Sequence, residues 1–160
     1  MRYLAKITLL LLLGLWLTQI TGCSKRDPVT LVAGDDPDMQ AAIAKSRSTL
    51  PEFWAAFTER KHGENGFELK VKITDPQGTE HFWTSDIARE NGRIMGTINN
   101  RPEIVRTVKF GQRIPLPEDD LTDWMYLQEG KIHGSETMRL LLKTLPPEEA
   151  KKLRAMLANP

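Results

Sequence analysis

The chain has 160 residues, one cysteine and a formal charge of +1. That length fits a single domain with one core, and one cysteine excludes an internal disulfide framework. Cations and anions are interleaved and nearly balanced, which excludes the basic stripe of a nucleic-acid-binding protein.

Arg2 and Lys6 precede an apolar run from Ile7 to Ile20. Such a run has about the length of a signal-peptide core, roughly 7–15 residues, and falls short of the roughly 20 that span a bilayer. Thr21 and Gly22 then lead to Cys23. The order charged, apolar, small is that of a secretory signal. Ile20-Thr21-Gly22-Cys23 also resembles the lipobox of bacterial lipoproteins, in which the signal is cut just before the cysteine and the new terminus is acylated. The resemblance implies lipidation of Cys23. Ser24 rather than Asp after it implies an outer-membrane address, facing the periplasm, rather than the inner membrane. Each buried CH₂ of such a lipid contributes about 0.8 kcal/mol to anchoring. The expected organisation is a removed signal peptide over 1–22, a lipidated tether over 23–35, and one domain over 36–160. Cleavage leaves 20 basic and 21 acidic residues. "SKRDPVTLVAGD", residues 24–35, carries Pro, Gly and charge without a helical period, and a flexible dozen residues reaches on the order of 20 Å.

Asp36 and Pro37 open the domain as an N-cap and a first helical residue. Met39, Ala42, Ile43 and Leu50 form a modest apolar stripe. Thr49-Leu50-Pro51-Glu52 has capping-box spacing and predicts a second helix, with Phe53, Trp54 and Phe57 on one side and Gly63 at its end. "FELKVKIT" then alternates with period two, as a strand with one buried face does. Asp75-Pro76-Gln77-Gly78 predicts a turn, and "TEHFWTSDI" the next strand. Asn91-Gly92 predicts a hairpin, since both residues tolerate positive φ. "IVRTVKF" and "QRIPL" flank Gly111 as two further strands. "DWMYLQEGKIHG" reads as a last hairpin turning at Glu129-Gly130. Ser135 is placed to cap a helix carrying Met138, Leu141, Leu142 and Leu145, and Pro146-Pro147 restarts one that buries Ala150, Leu153, Met156 and Leu157. Helices, then strands, then helices predict an α+β fold, with helices packed on one face of a twisted, mostly antiparallel sheet of about five to seven strands.

The segments "LPEFWAAF", "TEHFWTSDI", "GTINNRPE", "LTDWMYLQEGKIHG" and "LLLKTLPPEEAKKLR" resemble the YegJ-like family of bacterial domains of unknown function (DUF2314), over essentially the whole domain from Met39 to Leu157. The resemblance implies a small α+β domain, sometimes exported and sometimes joined to other modules. It implies no catalytic residues.

Candidate chemistry is sparse. His81 shares a strand face with Trp83, and Glu80-His81 is an acid–base candidate; a half-buried histidine in an aromatic cluster explains the same pattern. Asp123 can orient a ligand, or bond a backbone N–H, as Asp readily does. Trp124 and Tyr126 share a face as core or groove wall. Asn99, Asn100 and Arg101 sit between strands, where a turn accounts for them, though together they can read a carbonyl-rich peptide or sugar. His62, His81 and His133 match no metal spacing, and no phosphate-cradling, nucleotide or nucleophile-elbow motif occurs. No metal or cofactor is therefore expected.

Three functions follow as expectations. The first is a non-catalytic, lipid-anchored binding or interaction module, with the membrane as partner through Cys23 and a protein or cell-wall ligand on a face including His81, Trp83, Asn99, Asn100, Arg101, Asp123 and Trp124. The second is an envelope hydrolase using Glu80, His81 and Asp123. The third is a periplasmic inhibitor or immunity protein.

Overall fold

The structure is a computed structural model that describes residues 36–159. The predicted signal peptide, Cys23 and the tether lie outside the described residues. Among the described residues no helix is long and apolar enough to cross a membrane.

Four helices and six strands form an α+β fold: α1 Pro37–Ser48, α2 Leu50–Glu59, β1 Asn65–Asp75, β2 Gly78–Glu90, β3 Arg93–Ile98, β4 Arg113–Pro115, β5 Leu121–Gln128, β6 Lys131–Gly134, α3 Glu136–Leu141 and α4 Pro147–Met156. The strands make one open antiparallel sheet in the order β4-β3-β2-β1-β5-β6. The β2–β3 and β5–β6 hairpins turn at Asn91-Gly92 and Glu129-Gly130, where all four residues have φ between 49° and 76°. That left-handed pair is what a two-residue hairpin matching the strand twist demands.

Period two decides which side chains enter the core. Phe67, Leu69 and Val71 of β1 and Phe82 and Thr84 of β2 lie buried on one face. Glu68 and Lys70, His81 and Trp83 stand on the other, only half-buried. The alternation shifts once. A bulge between Ser85 and Ala88 puts Asp86 at φ 51° and turns Ile87 inward against the simple parity, as an extra residue in one strand must.

α2 lies on the buried face. Phe53, fully buried, meets Phe67 edge-on at 5.6 Å and Trp124 at 6.0 Å between ring centroids. Such pairs contribute about 0.5–1.5 kcal/mol each beyond burial of area. α1 stands at the margin of β5 instead. β6 pairs only with Met125–Gln128, so the first half of β5 would be an open edge. Arg47 closes it, donating from Nε to Leu121 O at 2.8 Å and from Nη2 to Asp119 O. Exposed edges invite foreign strands, and covering them is a recurrent solution.

Several expectations give way to other solutions. Residues 104–110 are not a strand: the chain from Asn99 to Gly111 is an irregular excursion, closed where Gly111 N–H donates to Ile98 O and Ile98 N–H to Gln112 O, both at 2.9 Å. Its main-chain donors go to carboxylates rather than to a neighbouring strand. Glu80 accepts from the amides of Glu103, Ile104 and Val105, and Asp75 from those of Arg106 and Thr107. Buried amides need such partners. Thr49 makes no capping box; its hydroxyl turns back to Lys45 O and Ser46 O. α2 ends at Arg60, in the left-handed region at φ 44°, before Gly63. Met156 is 52% exposed rather than buried; of the positions expected to be buried, Ala150 and Leu157 are buried and Leu153 is half-buried.

Replacing Phe53 by Ala removes the ring at the centre of the aromatic cluster. The expected loss is about 3–5 kcal/mol, read as a lower urea midpoint with the slope unchanged.

Candidate functional site

Asp123 is where three elements meet. It sits on β5, 2% exposed, and its carboxylate accepts five hydrogen bonds. Oδ1 receives Ser46 Oγ–H from α1 at 2.7 Å, Trp124 N–H at 2.9 Å and Glu136 N–H at 3.2 Å. Oδ2 receives Thr137 N–H at 2.9 Å and Thr137 Oγ–H at 2.6 Å. The first turn of α3 is therefore capped from across the fold. Ser135, expected to cap it, has φ 57° and makes no side-chain cap bond. In that left-handed conformation its N–H reaches Trp124 O at 2.9 Å.

Beside this hub lies the open face of the sheet. Register places Trp83 of β2, Lys70 of β1 and Asp123 of β5 in one row across three strands. Lys70 Nζ donates to Thr137 Oγ1 at 3.1 Å and stands 5.4 Å from the centre of the Trp83 ring. Burial pushes the Lys70 ammonium below the usual lysine range, and the Asp123 charge pulls partly back. One strand position along, His81 Nδ1 is 3.0 Å from Thr122 Oγ1. Burial, then the charges of Lys70 and Lys72, push the His81 imidazole down to about 4. Glu68 lies two residues from Lys70 along β1, on the side away from His81. Burial pushes its carboxyl up, against a 2.9 Å bond from Asn99 Nδ2. A cluster of ionisable groups with displaced titration is a mark of functional sites, shared with structural ion networks.

The sequence-derived candidates divide. His81 and Trp83 belong to this face. Asn99 and Asn100 adjoin it as fasteners: Asn99 N–H donates to Trp83 O, and Asn100 Oδ1 accepts Trp83 N–H. Arg101 is exposed beyond them. Trp124 points the other way, 4% exposed under the helices, with its indole N–H donated to Ser46 O at 2.9 Å. Its stacking on Tyr126, 5.9 Å between centroids, belongs to the core. Glu80 also points away from His81, is 8% exposed, and holds the 103–105 amides. Glu80, His81 and Asp123 therefore do not converge. Among the described residues no group of three or more His, Cys, Asp and Glu side chains is placed to hold a metal ion.

Glu68, Lys70, Thr122 and Thr137 were not singled out from sequence. Glu68 and Lys70 were legible only as the polar half of an alternating strand. Their surroundings depend on strand register and, for Lys70, on a bond to Thr137 that joins residues 67 apart in the chain.

The profile of a bacterial family described as "Uncharacterized protein conserved in bacteria (DUF2314)" matches residues 36–157. The chain is 37% identical over 152 residues to the uncharacterized protein YegJ of Escherichia coli, covering 94% of this chain and 98% of that one. It is 29% identical over 122 residues to a putative ankyrin repeat protein of Neisseria meningitidis serogroup B, of which it spans 48%. No solved structure matches it significantly.

Three measurements check this face. Asp123→Ala leaves its buried donors and Lys70 without their acceptor and counter-charge, with an expected cost of about 3–5 kcal/mol in chemical denaturation. His81 is expected to remain neutral through the physiological range, with ring resonances that titrate near pH 4 when followed by NMR. A histidine whose folded titration point lies below its unfolded one binds its proton more readily in the unfolded chain. Its contribution is therefore complete above about pH 6.5 and is lost as pH falls through about 4. His81→Gln is expected to flatten that part of the stability–pH curve; an unchanged curve contradicts the assignment.

Proposed function

The chain belongs to the DUF2314 family of uncharacterized proteins conserved in bacteria, and from that premise we propose a lipid-anchored envelope protein that acts as a non-catalytic binding module. Lipid on Cys23 is its membrane attachment, outer membrane facing the periplasm, and residues 24–35 are the tether that lets the domain meet a protein or cell-wall ligand. The order Arg2, Lys6, leucine run, Gly22, Cys23 supports the anchor.

One observation carries the binding role: the open face brings together an aromatic ring, a half-buried lysine, a neutral imidazole and an amide from neighbouring elements. Trp83 gives flat apolar area with little rotamer entropy to lose. Lys70, His81 and Asn99 give direction to a polar ligand, and aromatic residues of this kind anchor interfaces. The hydrolase alternative needs Glu80, His81 and Asp123 around one reacting atom, and general acid–base groups must come within hydrogen-bond reach of it. Glu80 lies on the far face and Asp123 is already held by five donors, which supports the non-catalytic reading. No particular observation favours an inhibitor or immunity protein.

Growth with a clickable fatty acid tests the anchor. The wild type is expected to be labelled and Cys23→Ser unlabelled; an unlabelled wild type removes the proposal's membrane half. For the binding half, a photo-crosslinker at Ser85, beside Trp83 on the same face, is expected to capture a defined envelope component. Trp83→Ala is expected to lose most of that product at unchanged melting temperature. A yield that survives Trp83→Ala removes the face from the account.

A further inference from the structure

β1 is paired further on one side than on the other. Against β2 the ladder continues to Asp75↔Gly78, whereas against β5 it stops at Val71↔Leu121. The residues that would extend β5 backwards, Glu118–Asp120, form a 3-10 turn, in which Asp120 N–H donates to Pro117 O at 3.0 Å. Among the described residues, then, no strand lies beside Lys72–Asp75 on the β5 side. Main-chain donors and acceptors in a strand alternate between its two neighbours. Half of those in Lys72–Asp75 face this gap.

A cleft of about 330 Å³ lies at the same place. One wall is four consecutive residues of β1, Val71 to Thr74. Consecutive side chains in a strand point to opposite faces, so a cleft that touches all four meets the strand along its main-chain edge. The other wall includes Ile114, Pro115 and Pro117. Prolines carry no N–H, and the Asp120 amide is already turned back on Pro117. The facing wall thus lacks the donors that would pair with β1, which keeps the edge open. Ile73 is half-buried and Ile114 buried, so the cleft has apolar surface as well as main-chain groups.

We infer that this edge is a docking site for an extended peptide segment, which adds a short strand beside Lys72–Asp75 and places one side chain into the cleft against Ile73 and Ile114. An extended polypeptide is the ligand whose donors and acceptors repeat every two residues, as the edge does. Four strand residues offer about 13 Å of such edge, the scale of a short linear segment rather than a whole protein face. The site is separate from the Trp83 row, and neither depends on the other.

Amide hydrogen exchange on the ¹⁵N-labelled full chain reads the edge first. Alternate amides within Lys72–Asp75 are expected to exchange about 100-fold faster than those paired to β2. A blocked hexapeptide of alternating Val and Thr, with terminal lysines for solubility, is then titrated into the millimolar range. Saturable shifts are expected at Lys72–Asp75 and across residues 114–120, with slowed exchange of the fast amides. The same peptide N-methylated at alternate residues, unable to complete the ladder, is expected to give neither. Uniform protection of the four amides in the free protein, no saturable shift with the plain peptide, or an equal response to the methylated one overturns the inference. None of these outcomes bears on crosslinking at Ser85.

Discussion

The Asp123 carboxylate is the constraint on which the arrangement of helices depends. Burying a carboxylate is costly unless every acceptor site is answered, and here the answers come from α1, from β5 itself and from the first turn of α3. Three segments distant in sequence are thereby fixed to one point. The same point fixes Lys70, since Thr137 both donates to Asp123 and accepts from Lys70. Lys70, held in this way, adds its charge to the burial that depresses the titration of His81.

Two other carboxylates work in the same manner on a smaller scale. Glu80 and Asp75 between them receive the amides of five consecutive residues, 103–107. These donors hold the Asp75 carboxyl below its usual range, the Arg106 amide foremost. An irregular excursion is thus ordered without a sheet partner, and Val105 and Val108 are brought into the core. Acidic residues that stand out in a search for catalysts are, in this fold, acceptors for main-chain N–H groups. That is the commoner use of a carboxylate among buried amides.

Much of the architecture was legible because it rests on local rules. Alternation in Phe67–Ile73 marked β1 and its buried face, and Asn91-Gly92 marked a turn that only positive φ permits. What failed was non-local. Ser135 looks like a cap until the β5–β6 hairpin folds back and brings Asp123 into the role. Residues 104–110 look like a strand because Ile104, Val105 and Val108 are β-branched, yet they find carboxylates rather than a ladder. Within the site, His81 and Trp83 were visible as a pair on one face, whereas Lys70 was not. An alternating strand gives a lysine the same appearance whether it ends in water or beneath a helix.

The bond from Ser46 to Asp123 spans 77 residues, and that from Trp124 to Ser46 spans 78. A ribosome makes α1 long before it makes the residues that hold it. The first helix of the domain must therefore wait, marginal by itself in water as short helices are, until β5 and α3 arrive near the end of synthesis. Such separations raise contact order and slow folding. The domain closes late: a nascent chain lacking its last 25 residues has the strands and Ser46, but not the α3 donors, Glu136 and Thr137, that complete the shell of Asp123.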